Sequence, residues 1–148
     1  MKAVIQRVSR ATVRIEGKEV GRIGLGYLIL LGVGEGDTEQ QAQRLWSKIA
    51  KMRIFEDADG KANLSLADVG GQVMVVSQFT LYANCKKGNR PSFTQAMEPD
   101  EANRLYEYFL NLARADVEHV AHGSFGAMMD VELINDGPFT IIMDTDEL

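Results

Sequence analysis

The segment Asn135-Asp136-Gly137-Pro138-Phe139-Thr140 constrains the fold more than any other stretch of this chain. It lies between two strand-like runs, Val131-Glu132-Leu133-Ile134 and Phe139-Thr140-Ile141-Ile142-Met143. Proline donates no ladder hydrogen bond, so a Gly-Pro here interrupts the strand and turns its carbonyls elsewhere. A bond preceding proline is also the one common route to a cis peptide. A second segment, Ser77-Gln78-Phe79-Thr80-Leu81-Tyr82-Ala83, ends the apolar run Val73-Met74-Val75-Val76, which reads as a buried strand. Its polar and mixed residues place backbone amides and hydroxyls at the rim of a sheet. Taken singly, each segment also fits an ordinary turn or loop.

The rest of the pattern predicts an α/β (α+β-like) fold in one domain, residues 1–148. Mixed and antiparallel sheets carry two helices grouped on one side, in β/β/α layers and the order β-β-β-α-β-α-β-β. Strands are expected at 2–8, 12–16, 20–23 and 27–31, then at 53–56, 62–66 and 72–79, and finally at 116–121, 125–135 and 139–144. Thr38 and Gln41 form a plausible capping box. Ala42, Leu45, Trp46 and Ile49 follow it with the spacing of an amphipathic helix, which puts the tryptophan in the core. Pro99, Asp100 and Glu101 open a second helix with Ala102, Leu105, Tyr106, Phe109 and Leu112/Ala113 on its buried stripe. Between them lies a loop, 84–95, rich in Lys86, Lys87, Gly88, Asn89, Arg90 and Pro91.

Several chemistries are disfavoured by what the chain contains. The 148 residues include one cysteine, Cys85, so no internal disulfide framework is available and a reducing compartment is expected. The N-terminus reads as a strand, not a signal peptide, and no apolar run approaches the roughly 18 residues of a membrane span, so a cytoplasmic location is the expectation. His119 and His122 would point to opposite faces of a strand and make a poor metal chelate. Gly32, Gly34 and Gly36 match neither phosphate-loop fingerprint. Asp57-Ala58-Asp59-Gly60 lacks the spacing and the distal glutamate of a calcium loop and reads as a hairpin turn. No Gly-x-Ser-x-Gly elbow accompanies Ser77 or Thr80. The net charge of −5 argues against a generic nucleic-acid coat, although Lys2, Arg7, Arg10, Arg14, Lys18 and Arg22 near the start permit a local basic face.

Taken together, the motifs resemble one family nearly end to end: the D-aminoacyl-tRNA deacylases, or D-tyrosyl-tRNA deacylases. The resemblance begins at Met1-Lys2-Ala3-Val4-Ile5-Gln6-Arg7-Val8 and runs through residues 77–83, Arg90-Pro91-Ser92-Phe93 and Gly123-Ser124-Phe125-Gly126-Ala127-Met128-Met129 to Asn135–Thr140. It implies hydrolysis of the ester in D-aminoacyl-tRNA, and in glycyl-tRNA, as a chiral proofreading step with no cofactor and no metal. It implies a homodimer with the active site at the subunit interface and tRNA as partner. Catalytic roles are implied for Ser77, Gln78, Phe79 and Thr80, and substrate-binding roles for Gly137, Pro138, Arg7, Phe125 and Met129. In this family the Gly-Pro bond is cis and reaches into the partner's site, where it rejects L side chains. Either the ribose 2′-hydroxyl of the RNA or Thr80 would assist the attack. Phe139 departs from the pattern, which more often has a smaller β-branched residue there. Two other readings remain open: an oligomeric interaction module, and a hydrolase of small metabolites, which would not require RNA.

Overall fold

The computed structural model describes residues 1–148. Its spine is β1 (Lys2–Ile15), one long strand where two short ones are expected. Its first half pairs antiparallel with β3 (Gly26–Gly32) and its second half with β2 (Lys18–Ile23). Along its whole other side runs β8 (Asp130–Asp144), also antiparallel. The sheet continues from β3 through β6 (Gln72–Ser77) to β7 (Val120–His122), both joined in parallel. Helices α1 (Glu39–Lys51) and α2 (Pro99–Asp116) pack together on one side, and β4 (Arg53–Glu56) with β5 (Ala62–Ser65) forms a separate hairpin. Without that hairpin, the order of elements is the expected one.

Period-two alternation divides the apolar residues between two cores. On β3, Tyr27, Ile29 and Leu31 face the helices, while Leu28 faces a smaller cluster on the other side of the sheet. On β6, Val73 and Val75 take the first side and Met74 and Val76 the second. β1 changes phase part-way. Ala3 and Ile5 join the helix side, but Ala11 and Val13 join the small cluster, because the β1–β8 register slips between Val8 and Arg10. An extra residue in one strand exchanges its faces, so the bulge lets one strand serve both cores.

The helices form for the reasons the sequence gives. Thr38 caps α1, and Gln41 returns its side chain to the Thr38 amide at 2.8 Å. Trp46 is buried, edge-on to Phe109 with ring centres 5.7 Å apart, and its indole donates to Asp116 at 2.8 Å. Glu98 caps α2 by accepting from the amides of Asp100 and Glu101. Asp57 accepts from the amides of Asp59 and Lys61, and the bond from Lys61 holds its carboxyl below the usual range. The Asp57 motif is therefore a turn.

Toward the C-terminus, boundaries also differ from the expected ones. Residues through 116 stay helical, which leaves β7 only three residues long. Residues 125–129 lie outside any strand. β8 is continuous across Gly137–Pro138, since β1 supplies partners on both sides of the interruption.

Tyr106 ties α2 to β6, donating its hydroxyl to the Val75 carbonyl at 2.8 Å from a fully buried position. Burial pushes its phenol well above the ordinary value near 10, which favours the protonated form in the fold. That contribution to stability is complete below about pH 10 and is lost as pH rises beyond it. Tyr106→Phe should cost about 1–3 kcal/mol in urea unfolding at neutral pH, the range for stranding a buried acceptor. It should also flatten the alkaline decline relative to the parent.

Candidate active site

The Gly-Pro segment forms a bulge held by a buried arginine. Gln6 pairs with Thr140 and Val8 with Asn135, so residues 136–139 of β8 are accommodated opposite Arg7 alone. The Gly137–Pro138 bond is cis. Arg7 is 2% exposed, and its Nε donates to the Asp136 carbonyl at 3.0 Å. One terminal nitrogen reaches the Gly137 carbonyl at 3.4 Å and the other reaches the Ile54 carbonyl at 2.6 Å. The Asp136 carboxylate lies 3.2 Å from Nε, and Glu56 lies 3.9 Å from Nη2. Phe139 supplies the last wall, with its ring centre 4.4 Å from the guanidinium carbon. Phe139 thus has a use at this position, since an aromatic face attracts a cation. Gly137 and Pro138 themselves are exposed.

The second segment is a rim of a different kind. β6 ends at Ser77, and Phe79–Tyr82 close a single 3-10 turn in place of the strand expected through 79. Gln78 is pinned by its amide to the Leu31 carbonyl at 2.7 Å. The amides of Phe79 and Thr80, next along the chain, donate to no protein acceptor. Phe79 is 55% exposed and stands edge-on to Phe93 with ring centres 5.2 Å apart. The Thr80 hydroxyl is hydrogen-bonded to the Gln78 side-chain amide. No histidine, lysine or carboxylate hydrogen-bonds to it. His119 instead meets the Arg22 carbonyl, and His122 the Gly123 carbonyl. The arrangement offers free backbone donors, an exposed aromatic wall and no general base.

Phe125 packs on Tyr106 with ring centres 6.1 Å apart, and Met129 packs against the smaller core. Among the implied site residues, Arg7, Gly137 and Pro138 come together, and Ser77–Thr80 come together. The two groups do not meet within one chain. Ser77 lies level with Leu31 and Ala3, whereas the bulge lies opposite Arg7. Four residue levels and three strands separate them, on the order of 20 Å along the sheet. Glu56 and Ile54 are contacts of Arg7 that sequence reasoning missed, because no spacing signal links the β4–β5 hairpin to residue 7.

A cleft of about 590 Å³ lies elsewhere: Arg10, Arg22, Gln72 and His119 are among the residues that line it. Its arginines are already paired, Arg10 with Glu132 and Arg22 with Glu19. It lies at the start of β6, the end opposite Ser77. No group of three or more His, Cys, Asp or Glu side chains is arranged to hold a metal ion.

Residues 4–144 match the family described as D-Tyr-tRNA(Tyr) deacylase. The chain belongs to this family. A D-aminoacyl-tRNA deacylase of Dehalococcoides mccartyi is 58% identical over 98% of this chain and 95% of its own. One from Thermotoga petrophila is 52% identical over 100% of this chain and 99% of its own. Among solved structures, one titled c-Myc DNA Unwinding Element Binding Protein superposes with a TM-score of 0.92 at 41% identity, covering 97% of this chain and 98% of that one. A probable eukaryotic D-amino acid tRNA deacylase superposes at 0.81 with 18% identity, over 96% and 97%, which bears on the fold.

Arg7→Lys keeps the charge in the family's N-terminal strand but loses the fork that reaches three carbonyls at once. It should lower unfolding stability by about 2–3 kcal/mol, as expected for losing charge-assisted bonds at a buried site. Urea denaturation measures it, and unchanged stability would mean that the bulge holds itself.

Proposed function

We propose that the protein hydrolyses the ester of D-aminoacyl-tRNA, releasing the amino acid and tRNA, and that it spares L-aminoacyl-tRNA. The observation that carries this reading is the exposed Gly137–Pro138 bulge clamped by Arg7. Backbone held this firmly, with no Cβ at 137, lets a substrate approach closely while leaving no space for a misdirected side chain. In this reading the carbonyls of the pair receive the substrate ammonium. Glycyl-tRNA has no side chain to reject and is a substrate too. Family membership and the names of the relatives support the substrate class.

The chemistry suits a site without a base. As the ester carbonyl is attacked, its oxygen gains negative charge, and the free amides of Phe79 and Thr80 are the donors positioned for it. The attacking water is oriented by the ribose 2′-hydroxyl of the RNA. Thr80 is the weaker candidate nucleophile, since no neighbouring group activates its hydroxyl. Ser77 and Gln78 set the turn, and Phe125 and Met129 are assigned to the substrate side by family resemblance.

Both halves of the site are brought together by a second copy of the chain. The outer edge of β8 has no partner strand, and Ile134 and Ile142 are 45% and 75% exposed along it. A long apolar edge is an aggregation hazard unless it is covered. A two-fold homodimer covers it and places each bulge at the partner's rim, giving two equivalent sites. No helix is long and apolar enough to cross a membrane, and cytoplasmic action on tRNA fits the proposal.

Matched D-, L- and glycyl-tRNA esters decide the activity: the D and glycyl esters should be cleaved and the L ester spared. Equal cleavage of the D and L esters would sink the proposal. In the same assay Thr80→Ala should retain substantial activity, Phe79→Pro should lose nearly all of it with its amide, and a 2′-deoxyadenosine terminus should be cleaved poorly.

Gly137→Ala separates substrate fit from folding. An added Cβ there would lie 3.3 Å from the Asn135 side chain alone, which has to give by a few tenths of an ångström, so the cost to the fold is small. D-ester cleavage should nonetheless fall by about tenfold or more, the scale of misplacing a reacting group. Normal activity in a well-folded Gly137→Ala dimer would remove this residue from the site.

A further inference from the structure

Every basic residue of segment 1–22 except Lys18 is neutralised by a neighbour. Lys2 pairs with Asp144, Arg7 with Asp136, Arg10 and Arg14 with Glu132, and Arg22 with Glu19. The basic face that the sequence permits there is thus largely cancelled. The loop following the 3-10 turn is different. Residues 84–97 contain no acid, and Lys86, Lys87 and Arg90 enter no ion pair. All of residues 85–91 are exposed.

The loop is nevertheless anchored. Asn84 and Ser92 exchange backbone hydrogen bonds of 2.7 and 2.9 Å across its base, and Asn84 caps the Lys86 amide at 3.0 Å. Just beyond Ser92, Phe93 stands against Phe79 of the rim. The base therefore sits beside the 3-10 turn, and Lys86, Lys87 and Arg90 are each within three residues of Asn84 or Ser92, so their backbone lies within about 10 Å of that base. The acid that follows in sequence, Glu98, spends its carboxylate capping α2, and Glu35 meets the base through its backbone amide, which donates to the Gln95 carbonyl.

We infer that Lys86, Lys87 and Arg90 bind the phosphodiester backbone of the single-stranded RNA end that leads away from the ester. This rests on the tRNA substrate proposed above. An acidic protein meeting a polyanion needs a local site where opposite charge is concentrated and unspent. The loop is that site, and it lies where the strand must leave the rim.

The test compares two D-esters, one on full tRNA and one on adenosine without phosphate, over a range of salt concentrations. Each phosphate contact on a single strand adds about 0.7 to the slope of log affinity against log salt. Replacing Lys86, Lys87 and Arg90 together by Ser should flatten that slope by about two for tRNA. It should weaken kcat/KM for tRNA roughly 100-fold at roughly 0.1 M salt, the deficit such a slope implies. Cleavage of the adenosine ester should stay at the parent rate, and Lys48→Ser, an exposed unpaired cation on α1, should alter neither. An unchanged salt slope, or an equal loss on both esters, would overturn the inference. Fluorescence anisotropy with uncharged tRNA gives the loop its own readout. If the parent cleaved neither ester, the deacylase reading would fall, while the anisotropy would still decide the loop.

Discussion

The Arg7 guanidinium is the contact on which the rest of the site depends. A buried cation is costly unless nearly all of its donors are used. Here the protein surrounds it with three carbonyls, two carboxylates and an aromatic face. Those groups come from β8 and the β4–β5 hairpin, so one side chain of β1 joins three parts of the chain far apart in sequence. Its burial explains why an interruption as disruptive as Gly-Pro leaves β8 continuous. The carbonyls that the bulge withdraws from the ladder are taken up by Arg7.

Charge is arranged by the same pairing. The basic start and acidic end of the chain are the two sides of the β1–β8 ladder: Lys2 lies across from Asp144, Thr12 from Glu132 and Arg14 from Asp130. Opposite charges on neighbouring strands help fix register, and here they do so over 14 residues of β1. What remains of the positive charge matters more for being unpaired. The 86–90 loop holds part of that remainder, next to the exposed Phe79–Phe93 pair.

Much of this was legible in sequence because it is local or periodic. The Thr38–Gln41 cap, the α1 and α2 stripes, the Asp57 turn and the loss of ladder pairing at Gly-Pro each depend on residues within a few positions. Other features were not, and the reason is physical. Whether 2–8 and 12–16 are one strand or two depends on β8 holding both halves, which no window of β1 contains. The 3-10 turn at Phe79 follows from Gln78 being pinned to Leu31, a tertiary bond. The Arg10 and Arg14 pairings with Glu132 need the register itself. At the site, the residue types were readable from the motif, while the partners of Arg7 on the hairpin were not.

The division of the site between two places in the chain has a chemical logic. The rim provides donors for an oxyanion and lacks a base, so by itself it favours no handedness and little attack on unactivated bonds. The bulge provides shape and carbonyl acceptors but nothing that stabilises an oxyanion. Under the reading proposed here, neither half alone would act as a general esterase, which protects the many esters a cell must keep. Joined across a two-fold axis, under the reading proposed here, they act only on an ester that brings its own 2′-hydroxyl and fits a space closed to L side chains. Selectivity then resides in backbone, fixed by Arg7 on one side and by the Leu31 carbonyl on the other. Main-chain atoms suit this task better than side chains. They have no rotamers with which to accommodate the wrong substrate, so rejection does not depend on a side chain holding still.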